Sequence, residues 1–472
     1  MSTHFKQVDV HPARAGDLAD HLDPAGPAQV RLNPCCWTDV HELRGCSCWY
    51  LFLACISASQ LAYSVPGPIE VSDEVLGALA LPSQSHVAAE FVPIFGDCLR
   101  MTREVVMSTK GQPFLISGSG TLGACSRISA IAGPDPLQDG TRRVPTPVAA
   151  NLIQPGENAL VLHSGYFGDS FTDCLETYGA KVDQVKAEIG AAVSQDALEA
   201  ALKAKNYRLV TMTHVDTSTG VLTDAKAVAE TVQRVSPDTL VILDGVCSVA
   251  SEELRMDAWG IDVVLTASQK GLGVPPGLSI VVASPAAIKV FESRTAPIGS
   301  YYASWKKWLP IMKAYESGKP AYFATPPVNL IYAYHESLTQ ITKKNPTLQE
   351  RIALHRAASA QVKDMAAALG LKQVALDPAS AANGMTALYY PEGLKAADVV
   401  PKFAEQGVVV AGGLHAEIKG MFTLVYSGSP ANRGNKDRYF RIGHMGVTVV
   451  DAQRGDMQRV TDALKAVFAS SK

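Results

Sequence analysis

The chain has 472 residues, enough for two or three domains at about 150 residues each and far more than a single core requires. Forty-two Lys and Arg against 45 Asp and Glu leave a net charge of −3 with no long single-sign block, so charge gives no footing for nucleic acid or an anionic membrane as partner. A hydrophobic fraction of 47% beside 18% charged residues argues against a largely disordered or fibrous chain.

Residues 1–64 show no period and are read as an irregular N-terminal extension. The first 34 mix Pro, Gly, Asp and His, and the next 30 hold Cys35, Cys36, Cys46, Cys48 and Cys55, five of the nine cysteines. An odd count in a long chain is poor evidence for a disulfide framework and points to a reducing compartment. The apolar run Cys48–Ala58 is well short of the roughly 20 residues of a spanning helix, and it starts too late for a secretory signal. The final Ser-Ser-Lys is not the peroxisomal Ser-Lys-Leu tripeptide. Peroxisomal or cytoplasmic placement is the expectation, with a mitochondrial one still open.

From Val65 short aliphatic runs alternate with longer amphipathic stretches, the pattern of βαβ units around a mostly parallel sheet. Strands are predicted at Pro113–Ser117, Ala159–Leu162, Leu209–Thr213, Leu240–Leu243 and Val263–Leu265, with helices at Ser194–Lys205 and Asp224–Val235. A second region has its own helix, Leu348–Leu369, and strands at Met385–Tyr390, Gly407–Val410 and Arg441–Ile442. The fold class is therefore α/β: a large domain over 65–340 whose mostly parallel sheet is covered by helices, and a smaller C-terminal α+β domain over 341–472. Two proline-rich or turn-rich stretches, 124–147 and 420–437, interrupt the rhythm and read as insertions.

Gly118-Ser-Gly-Thr-Leu-Gly123 follows a predicted strand and matches a glycine-rich phosphate-binding turn. Alone it also suits a nicotinamide-binding oxidoreductase, although the helix and distal acidic residue of that fingerprint are missing. A stronger signal is a pair of strand ends. Asp244 closes LVILD, and Lys270 follows the next strand in LTASQKGLGVPPG, each at a carboxyl end where α/β sheets place ligands. A lysine in an apolar crevice loses charge stabilisation and becomes a nucleophile for an aldehyde; a nearby aspartate can hold a pyridinium nitrogen protonated. Taken singly, Asp244 could be a helix cap and Lys270 a surface charge.

With these motifs the chain resembles the class V aminotransferases of the pyridoxal-phosphate fold-type I superfamily, nearest to the fungal-type alanine–glyoxylate aminotransferases. The resemblance runs from Val65 to about Val467 outside the insertions, and its most specific stretches are SGSGTLG, THVDTSTGV, LDGVCSV, LTASQKGLG, AYFATPPV, VVAGGLH and YFRIGHMG. It implies pyridoxal 5'-phosphate as cofactor, with Lys270 carrying the covalent link and shuttling the proton, Asp244 on the pyridinium nitrogen, Val246 beneath the ring and Thr217 at the ring hydroxyl. Ser119, Gly120, Thr121 and Gln269 would hold the phosphate, joined by Tyr322 and Thr325 from the second chain of a homodimer. Arg441 would take the substrate carboxylate, for which its planar fork is suited.

The implied reaction moves an amino group from L-alanine to glyoxylate, giving pyruvate and glycine; serine as donor, or a catalytically impaired relative, is the alternative. Small amino acids and 2-oxo acids are then the substrates, with neither nucleic acid nor membrane as partner. One position departs from the family's pattern: where an aromatic residue stacks on the ring, this chain has Ala124. No metal is expected, and His214 and His444 are read as structural because neither lies at ligand spacing from another His or Cys. The absence of any Cys after Cys247 disfavours sulfur-transfer chemistry, and no Gly-x-Ser-x-Gly elbow occurs.

Overall fold

The computed structural model describes residues 62–118, 147–415 and 438–469; residues up to 61, 124–146 of the first insertion and the whole of 420–437 lie outside them. The described chain opens with β1 (Ala62–Tyr63). After the helices Asp73–Leu79 and Phe91–Val105 come β2 (Gln112–Ser117), β3 (Asn158–His163), β4 (Lys181–Lys186) and β5 (Leu209–Thr213). A short hairpin, β6 (Val215–Asp216) and β7 (Val221–Leu222), leaves the end of β5; β8 (Leu240–Asp244), β9 (Val263–Ala267) and β10 (Leu278–Ala283) follow.

Seven of these strands form one sheet in the order β2-β10-β9-β8-β5-β3-β4. From β9 to β4 every neighbouring pair is parallel, whereas β10 runs antiparallel to both β9 and β2. Every residue of β5, β8, β9 and β10 is buried, which is why these segments read as continuous apolar runs rather than alternating ones. Two of these strands escaped the sequence reading. β4, KVDQVK, is polar because it lies at the sheet edge. β10 is reversed because residues 268–277 fall short of the dozen or so that a parallel crossover takes.

Both helices predicted between strands form, each from the residue that caps it. Ser194 accepts the Ala197 N–H at 3.3 Å ahead of Gln195–Ala204, and Asp224 accepts the Ala227 N–H at 3.0 Å ahead of Ala225–Val235. The long C-terminal helix, Leu348–Ala368, starts in a capping box: Thr347 caps the Glu350 N–H, and the Glu350 carboxylate returns to the Thr347 N–H at 2.8 Å.

Beyond that helix lie β11 (Met385–Tyr389), β12 (Val408–Val409), β13 (Ala411–Gly412) and β14 (Tyr439–Gly443). β11, β14 and β13 make an antiparallel sheet in that order. One hydrophobic core gathers residues from Val75 to Ile341, and a second joins Ala62 to residues between Val362 and Phe468. In the second, Phe440 stacks on Tyr390 at 5.3 Å and on Phe468 at 5.8 Å. A third cluster, including Ile69, Val215, Cys247, Met385 and Tyr439, draws on both stretches.

Among the described residues, regular structure already precedes Val65. β1 pairs in parallel with β12, and Ser64 exchanges bonds with Gly443: its Oγ donates to the Gly443 carbonyl at 2.8 Å, and the Gly443 N–H donates to the Ser64 carbonyl at 2.8 Å. That start was hidden from the sequence because a two-residue strand has no period and its partner is more than 300 positions away. Gly443 is needed at this contact, since a Cβ there would overlap the Val65 carbonyl.

Candidate active site

The carboxyl ends of β5, β8 and β9 open on one side of the sheet, where parallel α/β folds place ligands. Asp244 ends β8 and is buried. Its Oδ1 accepts the Val246 N–H at 3.0 Å, which fixes the carboxyl, and its main-chain carbonyl accepts the His214 N–H at 2.9 Å, which holds the backbone at this strand end. Burial is the largest influence on it and pushes its pKa up to about 7; the Val246 N–H lowers it, nearby Asp216 raises it and Lys270 lowers it. Val246, partly buried, follows directly and packs against the main core.

Lys270 sits in the turn after β9. The Gly273 N–H closes that turn onto the Lys270 carbonyl at 2.7 Å, and Ser268 donates to the Pro275 carbonyl at 2.8 Å. The amine donates to the main-chain carbonyl of Pro66. Its pKa is lowered first by burial; Cys247 and Asp244 oppose that shift and Arg441 adds to it. The amine is thus held closer to its neutral, nucleophilic form, with Asp244, Cys247 and Arg441 all near enough to influence it.

Over this lysine passes the segment Val65–Gly67. Gly67 has φ +118°, a conformation open to glycine, and a Cβ there would lie 2.5 Å from Nζ and 2.7 Å from Cε of Lys270. The place of this segment above the lysine was not legible in the sequence. Its only local hint was a glycine locked between two prolines.

Arg441 lies on β14, partly buried, where its Nε donates to the Gly412 carbonyl at 2.8 Å and one terminal nitrogen donates to the Thr217 carbonyl at 3.1 Å. Thr217 is buried in the turn between β6 and β7. The preceding Asp216, for which no role was expected, is wholly buried. It accepts the Ser218 N–H at 2.9 Å, the Ser218 hydroxyl at 2.6 Å and the Phe167 N–H at 3.2 Å, and burial raises its pKa.

Gln269 is partly buried, with its main-chain carbonyl accepting the Ile69 N–H at 3.1 Å. One terminus of its side-chain amide is buried with no partner among the described residues. Since the oxygen and nitrogen of an amide are interchangeable by rotation, that terminus can equally present an N–H to an anionic oxygen. Gly118 ends β2 with its N–H on the Gly277 carbonyl at 2.9 Å, while Ser119, Gly120, Thr121 and Ala124 lie outside the described residues.

Tyr322 and Thr325 are exposed in the segment entering the helix Val328–Thr342, with the Tyr322 ring 5.1 Å from that of His86; neither is among the partners of Lys270, Asp244 or Arg441 given above. His214 is buried with Nδ1 2.9 Å from the Ser248 hydroxyl, and His444 is buried between Thr386 at 2.8 Å and the Asn383 carbonyl at 2.9 Å. Among the described residues no cluster of His, Cys, Asp and Glu could hold a metal ion.

A mostly parallel sheet with an aspartate and a lysine on adjacent strand ends, and an arginine facing them from a second sheet, defines a fold-type I transferase site. The family model for "Aminotransferase class-V" matches residues 139–428. The chain is 38% identical over 419 residues to alanine–glyoxylate aminotransferase 1 of Saccharomyces cerevisiae, covering 86% of this chain and 98% of the yeast protein. It is 28% identical to the L-aspartate–glyoxylate aminotransferase of Paracoccus denitrificans, over 82% of this chain and 87% of that protein. The crystal structure of a subgroup IV aspartate aminotransferase from Thermus thermophilus superimposes with a TM-score of 0.68 at 27% identity, over 86% of this chain and 99% of that one.

The chain belongs to the class V aminotransferases and is an aminotransferase. That membership displaces the nicotinamide reading of Gly118–Gly123. The family is generally pyridoxal-phosphate dependent, and the residues described fit that group: an amine with depressed pKa for its aldehyde, a buried carboxyl for its ring nitrogen, and an unsatisfied amide at Gln269 for its phosphate.

Proposed function

We propose that the protein is a pyridoxal-phosphate-dependent alanine–glyoxylate aminotransferase, transferring the amino group of L-alanine to glyoxylate to give pyruvate and glycine. The observation that carries this reading is the convergence of Lys270 from the turn after β9, Asp244 from the end of β8 and Arg441 from β14, which influence a common set of neighbours. The choice of alanine and glyoxylate rests on the 38% identity to the yeast enzyme over nearly its whole length.

The cofactor, once bound, supplies an aldehyde carbon and an electron-withdrawing ring. The chain supplies the rest. The Lys270 amine provides the covalent anchor and the base that holds and returns the proton. Asp244 would keep a proton on the ring nitrogen, the charge it faces there favouring its ionised form. Gln269, with Ser119, Gly120 and Thr121, would hold the phosphate, Thr217 would serve the ring hydroxyl, and Val246 would pack against the ring. Arg441 binds the carboxylate shared by all four reactants, which orients the reacting carbon toward Lys270. The site is completed in a homodimer, Tyr322 and Thr325 of each chain reaching the phosphate held by the other, and the exposure of both in a single chain supports this.

Transamination of glyoxylate by purified protein with alanine, serine or aspartate as donor tests the reading, and alanine is expected to give the highest kcat/KM. Lys270→Ala is expected to abolish turnover and borohydride trapping of the cofactor while leaving the unfolding transition in place. A trapped cofactor on another lysine, or a clear preference for serine, would overturn the assignment.

A further inference from the structure

Tyr439 opens β14 two residues before Arg441, so the two side chains leave the same face of the strand. Its ring is buried, and its hydroxyl is fully used: it accepts the N–H groups of Leu414 at 2.6 Å and His415 at 2.8 Å, and donates to the Ser218 carbonyl at 2.6 Å. Arg441 reaches the same two loops one step away, donating to Gly412 and to Thr217. Both side chains therefore span the gap between residues 412–415 and 217–218, segments about 200 positions apart in the chain. Two main-chain carbonyls help to aim the arginine: Gly412 ends β13 beside β14, and Tyr439 ties the residues that follow it to the turn that carries Thr217. Gly413 leaves room for this arrangement, since a Cβ there would overlap Cε1 of the Tyr439 ring and lie 2.7 Å from its Cδ1.

We propose that Tyr439 is a positioning residue for the substrate carboxylate: its hydroxyl holds the 412–415 and 217–218 loops at the separation at which their carbonyls aim the Arg441 guanidinium. This rests on the assignment of Arg441 as the carboxylate anchor. Tyr439 does not itself touch substrate. Its loss therefore acts on binding of the common carboxylate and spares the chemical step at Lys270.

Tyr439→Phe keeps the ring and removes the three bonds. It is expected to raise KM for alanine and for glyoxylate by the same factor, about five- to tenfold, with kcat changed less than about twofold. Propionate, which carries the carboxylate but neither the amino group nor the oxo carbon, is expected to lose inhibition by that factor. In the cofactor-free protein the Leu414 and His415 amides should exchange faster with solvent. Tyr334→Phe, which removes another buried hydroxyl at Thr102, is the comparison and should leave both KM values alone.

Gly413→Ala, which displaces the ring but keeps its hydroxyl, should reproduce the KM effect should Tyr439→Phe fail to fold. A folded Tyr439→Phe with unchanged KM and unchanged propionate inhibition, or one that loses only active fraction, overturns the proposal. Arg441→Lys separates the two readings. If it leaves KM and propionate inhibition unchanged, the anchor assignment fails; if it raises both and neither Tyr439→Phe nor Gly413→Ala does, only the role of Tyr439 fails.

Discussion

Replacing Gly67 by alanine should damage the protein through two separable effects. The first is backbone strain: at φ +118° an L side chain is disfavoured, at a cost of about 1–3 kcal/mol. The second is steric, because the new Cβ would lie 2.5 Å from Nζ and 2.7 Å from Cε of Lys270, and crowding of this kind costs about 1–3 kcal/mol. The clashing atoms end a flexible side chain, so the lysine would swing away and lose its bond to the Pro66 carbonyl. The residue most disturbed is then the lysine proposed to anchor the cofactor. Denaturant unfolding of the cofactor-free wild type, Gly67→Ala, Lys270→Ala and the double variant separates the terms, since removing the lysine abolishes the clash but leaves the backbone strain. A coupling of about 1–3 kcal/mol is expected, along with weaker cofactor binding by Gly67→Ala. Effects that add to within about 0.5 kcal/mol would refute the packing of Gly67 on Lys270.

Asp244 makes the stability of the cofactor-free protein depend on pH. Its carboxyl loses a proton near its ordinary 3.8 when unfolded but only at about 7 when folded, so its contribution is present below about pH 4 and is lost as pH rises to 7. Over about three pH units this amounts to about 4 kcal/mol, and Asp244→Asn should remove that slope; equal slopes in the two proteins would count against a buried, proton-holding carboxyl. Tyr322 is 65% exposed in the single chain; on the proposed shared-site homodimer, Tyr322→Ala should weaken cofactor binding without shifting the unfolding of the chain, and dilution of the wild type should release cofactor in step with dissociation. A stable cofactor-saturated monomer in light scattering would sink the shared-site reading. Thr347→Ala should destabilise the chain by about 0.5–2 kcal/mol through the lost cap of Leu348–Ala368, measured by thermal unfolding; no change would mean that this helix end draws nothing from its capping box.

What the sequence determined by itself is what depends on near neighbours along the chain. LVILD and VVLTA are apolar throughout because strands buried on both faces need no alternation, and Ser194 and Asp224 mark helix starts because a cap acts over three residues. Asp244 and Lys270 could be singled out for the same reason: one ends such a run and the other follows one by three residues, so both fall at the carboxyl edge of the sheet. The tertiary structure alone decided what crosses the chain. It laid Pro66 and Gly67 over a lysine 204 and 203 positions on, and bonded Tyr439 to Ser218 across 221. It turned β10 against its neighbours and paired β1 with β12. No local period encodes these contacts, because they arise only once the sheets and cores have brought distant backbone together, where close approach rather than sequence pattern selects glycine at 67 and 443 and a hydroxyl at 439.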